Sequence, residues 1–230
     1  MAPRALREVL AGQNGRLGHT LSNILLRPGE LARELDDGRD RLSLRPLTLL
    51  FHLAALFFIA STFTGFGIDA IVRAVPAGGF DVLLAQHAAA AGIDPALDRE
   101  RLEHRFQAVY TLFVPVIALS YGVTIGLLHR RRKPWIVALV SGIQYLCFAY
   151  ILLVVLWSLA RLAGVNPYGW APLQVLGVSV GVLYAAALQR RIYDERWIPA
   201  LAKAAVVVGI GLVVHNFMLI AALAVSLNVT

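Results

Sequence analysis

Long apolar segments separated by short charged segments make up the chain from residue 46 onward. A helix that crosses the hydrocarbon core of a membrane needs about 20 mainly apolar residues, and helical hydrogen bonding satisfies its backbone without water. Five segments reach this length, at residues 46–68, 106–128, 135–160, 170–188 and 198–227. The pattern predicts an all-α, polytopic membrane protein whose transmembrane domain, 46–230, is a five-span bundle. The last segment is longer than a bilayer requires, so we expect it to tilt or project.

The distribution of charge between these segments predicts how the bundle is oriented. Short cytoplasmic loops are enriched in Lys and Arg. Residues 129–133 hold four basic residues and no acid, and residues 190–196 hold three Arg against two acids. The long loop at 69–105 holds four Arg against six acids, and no charge follows the last span. Alternation then puts the N-terminus in the cytoplasm and the C-terminus outside, in a bacterial cytoplasmic (inner) membrane.

Two segments outside the predicted spans also have helical patterns. Residues 1–45 contain two short amphipathic stretches, the first with Thr20 as a possible cap and the second ended by Gly38, which predict a cytoplasmic helical collar on the membrane or under the bundle. In the external loop, Asp94 followed by Pro95 is typical of a helix N-terminus. We expect a helix to begin there and to continue into the second span.

Composition supports the membrane assignment and narrows the chemistry. The chain is 58% hydrophobic and 15% charged, with a mean hydropathy of +0.69, which is too apolar for one soluble core. Its net charge of +7 is expected from cytoplasmic Lys and Arg, so the lipid bilayer is the predicted partner and nucleic acid is not. The single cysteine, Cys147, lies in an apolar run. No cofactor or metal site is predicted.

The stretch LLRPGELARELDDGRDRLSLRPLTLLFHLAALFF, residues 25–58, resembles the region before the first span in an uncharacterised bacterial family of multi-span membrane proteins. The resemblance implies a cytoplasmic Pro-Gly helix and a Gly-x-Arg element, but the zinc ribbon of many members has no counterpart here. Five spans with the N-terminus inside also look like the topology of the Yip superfamily of Rab-GTPase-interacting membrane proteins. The cytoplasmic surface that could dock a partner comprises Pro28, Gly29, Arg33, Gly38, Arg39 and Arg41.

Polar residues inside the predicted spans are the candidates for an intramembrane site, since each is costly unless it faces a partner or water. No Asp or Glu lies in any predicted span. Counting about 1.5 Å of helix per residue separates the candidates into two layers. One layer lies near the cytoplasmic side and holds His52, Ser141, Gln144, Tyr184 and Lys203. The other lies in the outer half and holds His215 and Asn216, so the two histidines are not expected to meet. The candidates are His52, Ser141, Gln144, Tyr184, Lys203, His215 and Asn216.

Three classes of function fit this pattern. The favoured class is a non-catalytic scaffold or accessory subunit, whose partners are other membrane proteins or further copies of the chain. The alternative is a small-solute, ion or lipid transporter or channel that uses the polar layers, although five spans do not divide into the inverted repeats common in transporters. A membrane enzyme is least favoured, because no catalytic grouping is apparent in the sequence.

Overall fold

The computed structural model describes residues 18–38, 48, 50–52, 54–55, 82, 85–89, 92, 94–130, 132–165 and 171–228. Two short helices come first, α1 at residues 18–26 and α2 at Glu30–Asp36. Four long helices follow: α3 at Pro95–Leu128, α4 at Trp135–Leu162, α5 at Ala171–Tyr193 and α6 at Trp197–Asn228. Each long helix contains a stretch that is long and apolar enough to cross a membrane.

These helices contain all but residue 170 of the last four predicted apolar segments. The helix α3 begins at Pro95, as the sequence predicts, and runs without a break through the charged residues 99–105. Most of the first predicted span, 46–68, and most of the external loop lie outside the described residues. Within that span, residues 48, 50–52 and 54–55 are helical, and Leu50 and Ala54 are buried in the core.

Proline and glycine set several helix ends. Pro134 immediately precedes α4, a position where its missing amide hydrogen costs no helical hydrogen bond. At the other end of α4, Gly164 has a φ of 66°, and the amide of Val165 donates to the carbonyl of Ala160 over 2.8 Å. Glycine adopts this left-handed conformation without steric cost.

The long helices pack in the order α4, α3, α6, α5, with the largest interface between α3 and α4. Glycine makes that interface close. A Cβ atom added to Gly142 of α4 would lie 2.7 Å from the Cα of Gly122 in α3 and 2.8 Å from the carbonyl oxygen of Ala118. Such distances leave no room for a side chain, so small residues bring the two backbones together.

The interface between α4 and α5 is smaller, and α2 packs against both helices. Residues 18–38, which we call the N-terminal wedge, occupy this side of the bundle. Ile24 and Ala32 of the wedge are fully buried. Gly29 has a φ of 84°, and a Cβ atom there would lie 3.0 Å from the carbonyl oxygen of Leu188 in α5. The amphipathic N-terminal helices therefore pack into the bundle with their apolar side.

One correction concerns the start of the first short helix. Helical structure is already present at residue 18, so Thr20 lies within α1 and its side chain is fully buried. The predicted end of the second helix is confirmed, because α2 stops at Asp36 and Gly38 follows with a φ of 68°.

The wedge lies at the end of the bundle that also contains residues 129–130, 132–134 and 194–196, which we call the basic face. Lys133 contacts Asp36 over 2.5 Å, and Arg191 forms an ion pair with Glu30. The opposite end, the far face, contains residues 163–165 and the end of α6. There the imidazole Nε2 of His87 lies 3.0 Å from the carbonyl oxygen of Leu227.

Candidate functional site

Buried polar side chains of the wedge form the first part of the candidate site. The Glu34 side chain is only 10% exposed. Its Oε1 accepts a hydrogen bond from Asn23 Nδ2 over 2.9 Å and lies 3.0 Å from His19 Nε2. A buried carboxylate is costly without such partners. The contacts therefore fix the packing of α1 against α2.

Two polar side chains of the bundle hold the backbone of this wedge. The Tyr184 hydroxyl donates to the carbonyl oxygen of Ile24 over 2.6 Å. Gln144 Nε2 donates to the Tyr184 hydroxyl over 3.2 Å and approaches the carbonyl oxygen of Asn23 at 3.5 Å. Gln144 lies about 13 Å along α4 from its first residue. The wedge thus reaches well into the bundle, and polar groups of α4 and α5 satisfy carbonyls at the end of α1.

A second cluster lies beside the wedge and centres on Glu195 in the turn between α5 and α6. Its side chain is 5% exposed. Glu195 Oε1 accepts from Lys203 Nζ over 2.5 Å and from Arg132 Nη1 over 2.7 Å. The cluster therefore ties the turn after α3, the turn after α5 and the first turns of α6 together around one carboxylate.

His129 joins this cluster to α5. Its Nε2 lies 2.9 Å from Gln189 Oε1, its ring stacks on Tyr193 with centroids 3.7 Å apart, and its Nδ1 is 3.5 Å from Glu195 Oε1. Burial lowers the pKa of His129, the nearby charges of Lys203 and Arg132 lower it further, and Gln189 and Glu195 partly oppose them. The imidazole is therefore neutral at neutral pH, and acid would place a third cation beside Lys203 and Arg132.

The structure brings together some of the predicted intramembrane polar residues and separates others. Gln144 and Tyr184 meet, as their predicted depths suggested. Lys203 instead contacts Glu195. His215 Nδ1 lies 3.2 Å from the Tyr110 hydroxyl, and no contact among the described residues joins it to His52.

The remaining polar candidates bond to their own helices. Ser141 donates to the carbonyl oxygen of Val137 and Asn216 to that of Leu212. His52 is exposed, and its Nδ1 lies 2.6 Å from the carbonyl oxygen of Thr48. Such bonds satisfy the side chain within one helix and place no demand on a neighbour.

The predicted partner surface divides in the structure. Arg33 and Gly38 are exposed, and Pro28 is half-buried. Gly29 is buried against Leu188 and Ile192 of α5, so it supports the packing of the wedge and contributes no exposed surface. Arg39 and Arg41 lie outside the described residues.

Sequence reasoning missed most of the residues that form the polar clusters. Glu34 and His129 stand in charged segments that resemble a solvated surface, so their burial has no signal in the local pattern. Asn23 stands in the amphipathic stretch LSNILL, and its burial was not predicted. Gln189 is different, because it ends the apolar run AAAL in α5. An amide at such a position signals a buried hydrogen-bond partner.

In the part of the chain that the structure describes, no three His, Cys, Asp or Glu side chains are grouped so that they could hold a metal ion. The sequence matches no protein-family model, no curated protein and no solved structure. The resemblances to the uncharacterised bacterial family and to the Yip superfamily therefore stay predictions.

Proposed function

We propose that this protein is an integral membrane scaffold, or a non-catalytic accessory subunit of a membrane complex. It presents the N-terminal wedge as a fixed docking surface. The observation that carries the proposal is the hydrogen bond from Tyr184 to the carbonyl oxygen of Ile24 at 2.6 Å, deep within the bundle. Polar side chains that could line a pathway are thus used to hold the wedge. A rigid, pre-organised surface binds a partner without losing much conformational entropy.

The exposed side of the wedge has the composition of a docking surface. Leu26 is 77% exposed and Leu25 is 45% exposed, and the next residue, Arg27, is exposed as well. Exposed apolar side chains flanked by arginine are typical of protein interfaces. The partner we infer is another membrane protein or a further copy of this chain.

Copurification tests this proposal. The tagged protein is purified in mild detergent and its partners are identified by mass spectrometry. Leu26→Asp should remove a stoichiometric partner, because it places a charge in the centre of the apolar patch. Leu162→Asp is the matched control, since Leu162 is 85% exposed at the far face. Recovery of the same partners with Leu26→Asp would contradict the docking surface.

The proposed topology has five spans, a cytoplasmic N-terminus and an external C-terminus, in a bacterial inner membrane. Two contacts support an additional crossing before α3. The wedge packs at the basic face, where Lys133 contacts Asp36, whereas His87 contacts Leu227 at the far face. The positions of Asp36 and His87 at opposite faces support the proposed crossing before α3.

Cysteine labelling tests the topology. In a Cys147→Ala background, a membrane-impermeant maleimide applied to intact cells should label Leu162→Cys, which lies at the far face. Lys133→Cys should react only after the cells are permeabilised. Labelling of Lys133→Cys in intact cells would reverse the proposed orientation.

A small-solute, ion or lipid transporter is the second candidate. Two buried polar groups favour it. One is the Glu34 carboxylate within the wedge. The other is Gln144 Oε1 beside the wedge, which has no hydrogen-bond partner among the described residues. If the wedge closes a pathway between α4 and α5, Tyr184→Phe should increase proton or ion flux into liposomes that contain the protein. Flux equal to that of empty liposomes for both proteins would count against transport.

A further inference from the structure

A cleft of about 470 Å³ opens on the basic face between the wedge and the turn that joins α5 to α6. Its charged and aromatic lining comprises Arg33, Arg190, Arg191, Asp194, Glu195 and Trp197. The lining of the cleft does not include Leu25 or Leu26. These side chains suit a ligand that carries both an anionic group and a polar group able to donate hydrogen bonds.

The cations in the cleft differ in how they are engaged. Arg191 forms an ion pair with Glu30, and Glu195 is held by Lys203 and Arg132. Among the described residues, neither Arg33 nor Arg190 lies within ion-pair distance of a carboxylate. Two arginines with uncommitted hydrogen-bond donors therefore face one cleft.

Arg190 is already oriented for binding. Its guanidinium carbon lies 4.8 Å from the centroid of the Trp197 ring, a cation–π arrangement that leaves the N–H donors at its edge free. The planar fork of an arginine donates two parallel hydrogen bonds to a phosphate. Arg33 on the wedge and Arg190 on α5 thus approach the cleft from two different elements.

The position of the cleft indicates the source of the phosphate. Trp197 is 46% exposed and begins α6, and the next residue, Ile198, is 82% exposed. Tryptophan at the end of a membrane-spanning helix lies at the level of the lipid headgroups. A phospholipid whose acyl chains contact Ile198 would therefore place its phosphate at the height of this cleft.

The carboxylates of the cleft favour a headgroup over a free phosphate. Asp194 and Glu195 line it together with the arginines, and like charges repel a multiply charged anion. A phosphodiester carries one negative charge, and the hydroxyl or ammonium of a headgroup can donate to the carboxylates. The cleft therefore matches a ligand that carries both a singly charged phosphate and a hydrogen-bond donor.

We propose that this cleft binds the headgroup of a phospholipid, with its phosphate held by Arg33 and Arg190 and its acyl chains on the exposed start of α6. The site goes beyond the proposed scaffold function and does not depend on the docking of a partner. A lipid bound there would bridge the wedge and α5.

The experiment is native mass spectrometry of the full-length protein, delipidated in detergent and titrated with dioleoylphosphatidylglycerol. Dioleoylglycerol, which has the same chains and no phosphate, is the comparison lipid. Wild type should retain the phospholipid and not the diacylglycerol. Arg33→Gln should weaken binding about tenfold, as expected for a lost hydrogen bond to a charged group. Adding Arg190→Gln should weaken it further.

Arg161→Gln is the matched control, because Arg161 is an exposed arginine near the far-face end of α4; its phospholipid binding should equal that of wild type. The Arg33→Gln variant should fold normally, because Arg33 is exposed and has no ion pair among the described residues. Equal retention by Arg33→Gln and wild type would overturn the proposal, as would equal binding of dioleoylglycerol. Displacement of the lipid by an equal concentration of inorganic phosphate would overturn the lipid as occupant.

Discussion

The interfaces on the two sides of α4 are built in opposite ways. On one side α4 meets α3 through Gly142 and Gly122, and the two backbones are in direct contact. On the other side α4 and α5 share a smaller interface, and the wedge packs against both of them. The first interface depends on the absence of side chains. The second depends on hydrogen bonds between side chains and a backbone segment remote in sequence.

This difference teaches what each interface can tolerate. A glycine contact has no adjustable atom, so any added side chain must displace a helix. The wedge is held by several separate contacts, from Tyr184 and Gln144 inside the bundle to Lys133 and Arg191 at its edge. Loss of one such contact should loosen the wedge and leave the four long helices in place.

The largest expected effect is at the glycine contact. Gly142→Ala should lower the free energy of unfolding by about 3 kcal/mol, the upper end of the usual cost of overpacking, because its Cβ would meet backbone atoms that cannot rotate away. Unfolding in detergent, followed by circular dichroism, measures the change. Gly209→Ala in α6 is the control, since no described residue outside its own stretch of helix lies within 4 Å of the added Cβ. Equal stability of the two variants would refute close packing of α3 on α4.

The next effect is at the turn of the wedge. Gly29→Ala should cost about 1–3 kcal/mol in local stability, because it combines a left-handed φ with contacts to Leu188 and Ile192. Hydrogen exchange of residues 18–38 measures the opening of the wedge. Gly38→Ala separates the two causes, since Gly38 has a similar φ and no described residue within 4 Å of the added Cβ. The same exchange rates in both variants would show that packing on α5 contributes nothing.

A smaller effect is expected from Tyr184→Phe. The variant keeps the ring stacked on Phe148 and loses the hydrogen bond to Ile24, so the wedge should be destabilised by about 1 kcal/mol. Exchange should rise in residues 18–26 and stay unchanged at the contact between α3 and α4. Faster exchange around Gly142 instead would mean that the two interfaces are not independent.

The smallest effect is expected from acid, which acts on His129 in the cluster around Glu195. Burial lowers the pKa of His129, so the unfolded chain binds this proton first as pH falls below about 6.5. The free energy of unfolding should therefore decrease from pH 6.5 downward, until His129 is protonated in the folded protein as well. Comparison with His129→Gln between pH 8 and 5 isolates this contribution. Identical pH profiles for the two proteins would contradict it.

Much of the helical pattern was predictable because its signals are local. Apolar length located the last four spans, and Asp94-Pro95 marked the start of α3. The depth of Gln144 and Tyr184 was also predictable, since a straight helix converts residue number into distance. Lys203 was a candidate for the same polar layer, and in the structure it contacts Glu195 instead. Its partner Glu195 lies in a loop, where residue number does not give distance.

The sequence by itself determined which segments are helical and apolar enough to cross a bilayer, because both properties depend on residues within one turn or one span. Only the tertiary structure decided how the polar residues are used. Tyr184 and Ile24 are 160 residues apart. Glu34 has the sequence context of a surface acid, but in the fold Asn23 and His19 contact its carboxylate. Burial of a polar group depends on which segments meet in space, and hydrophobic periodicity carries no record of that.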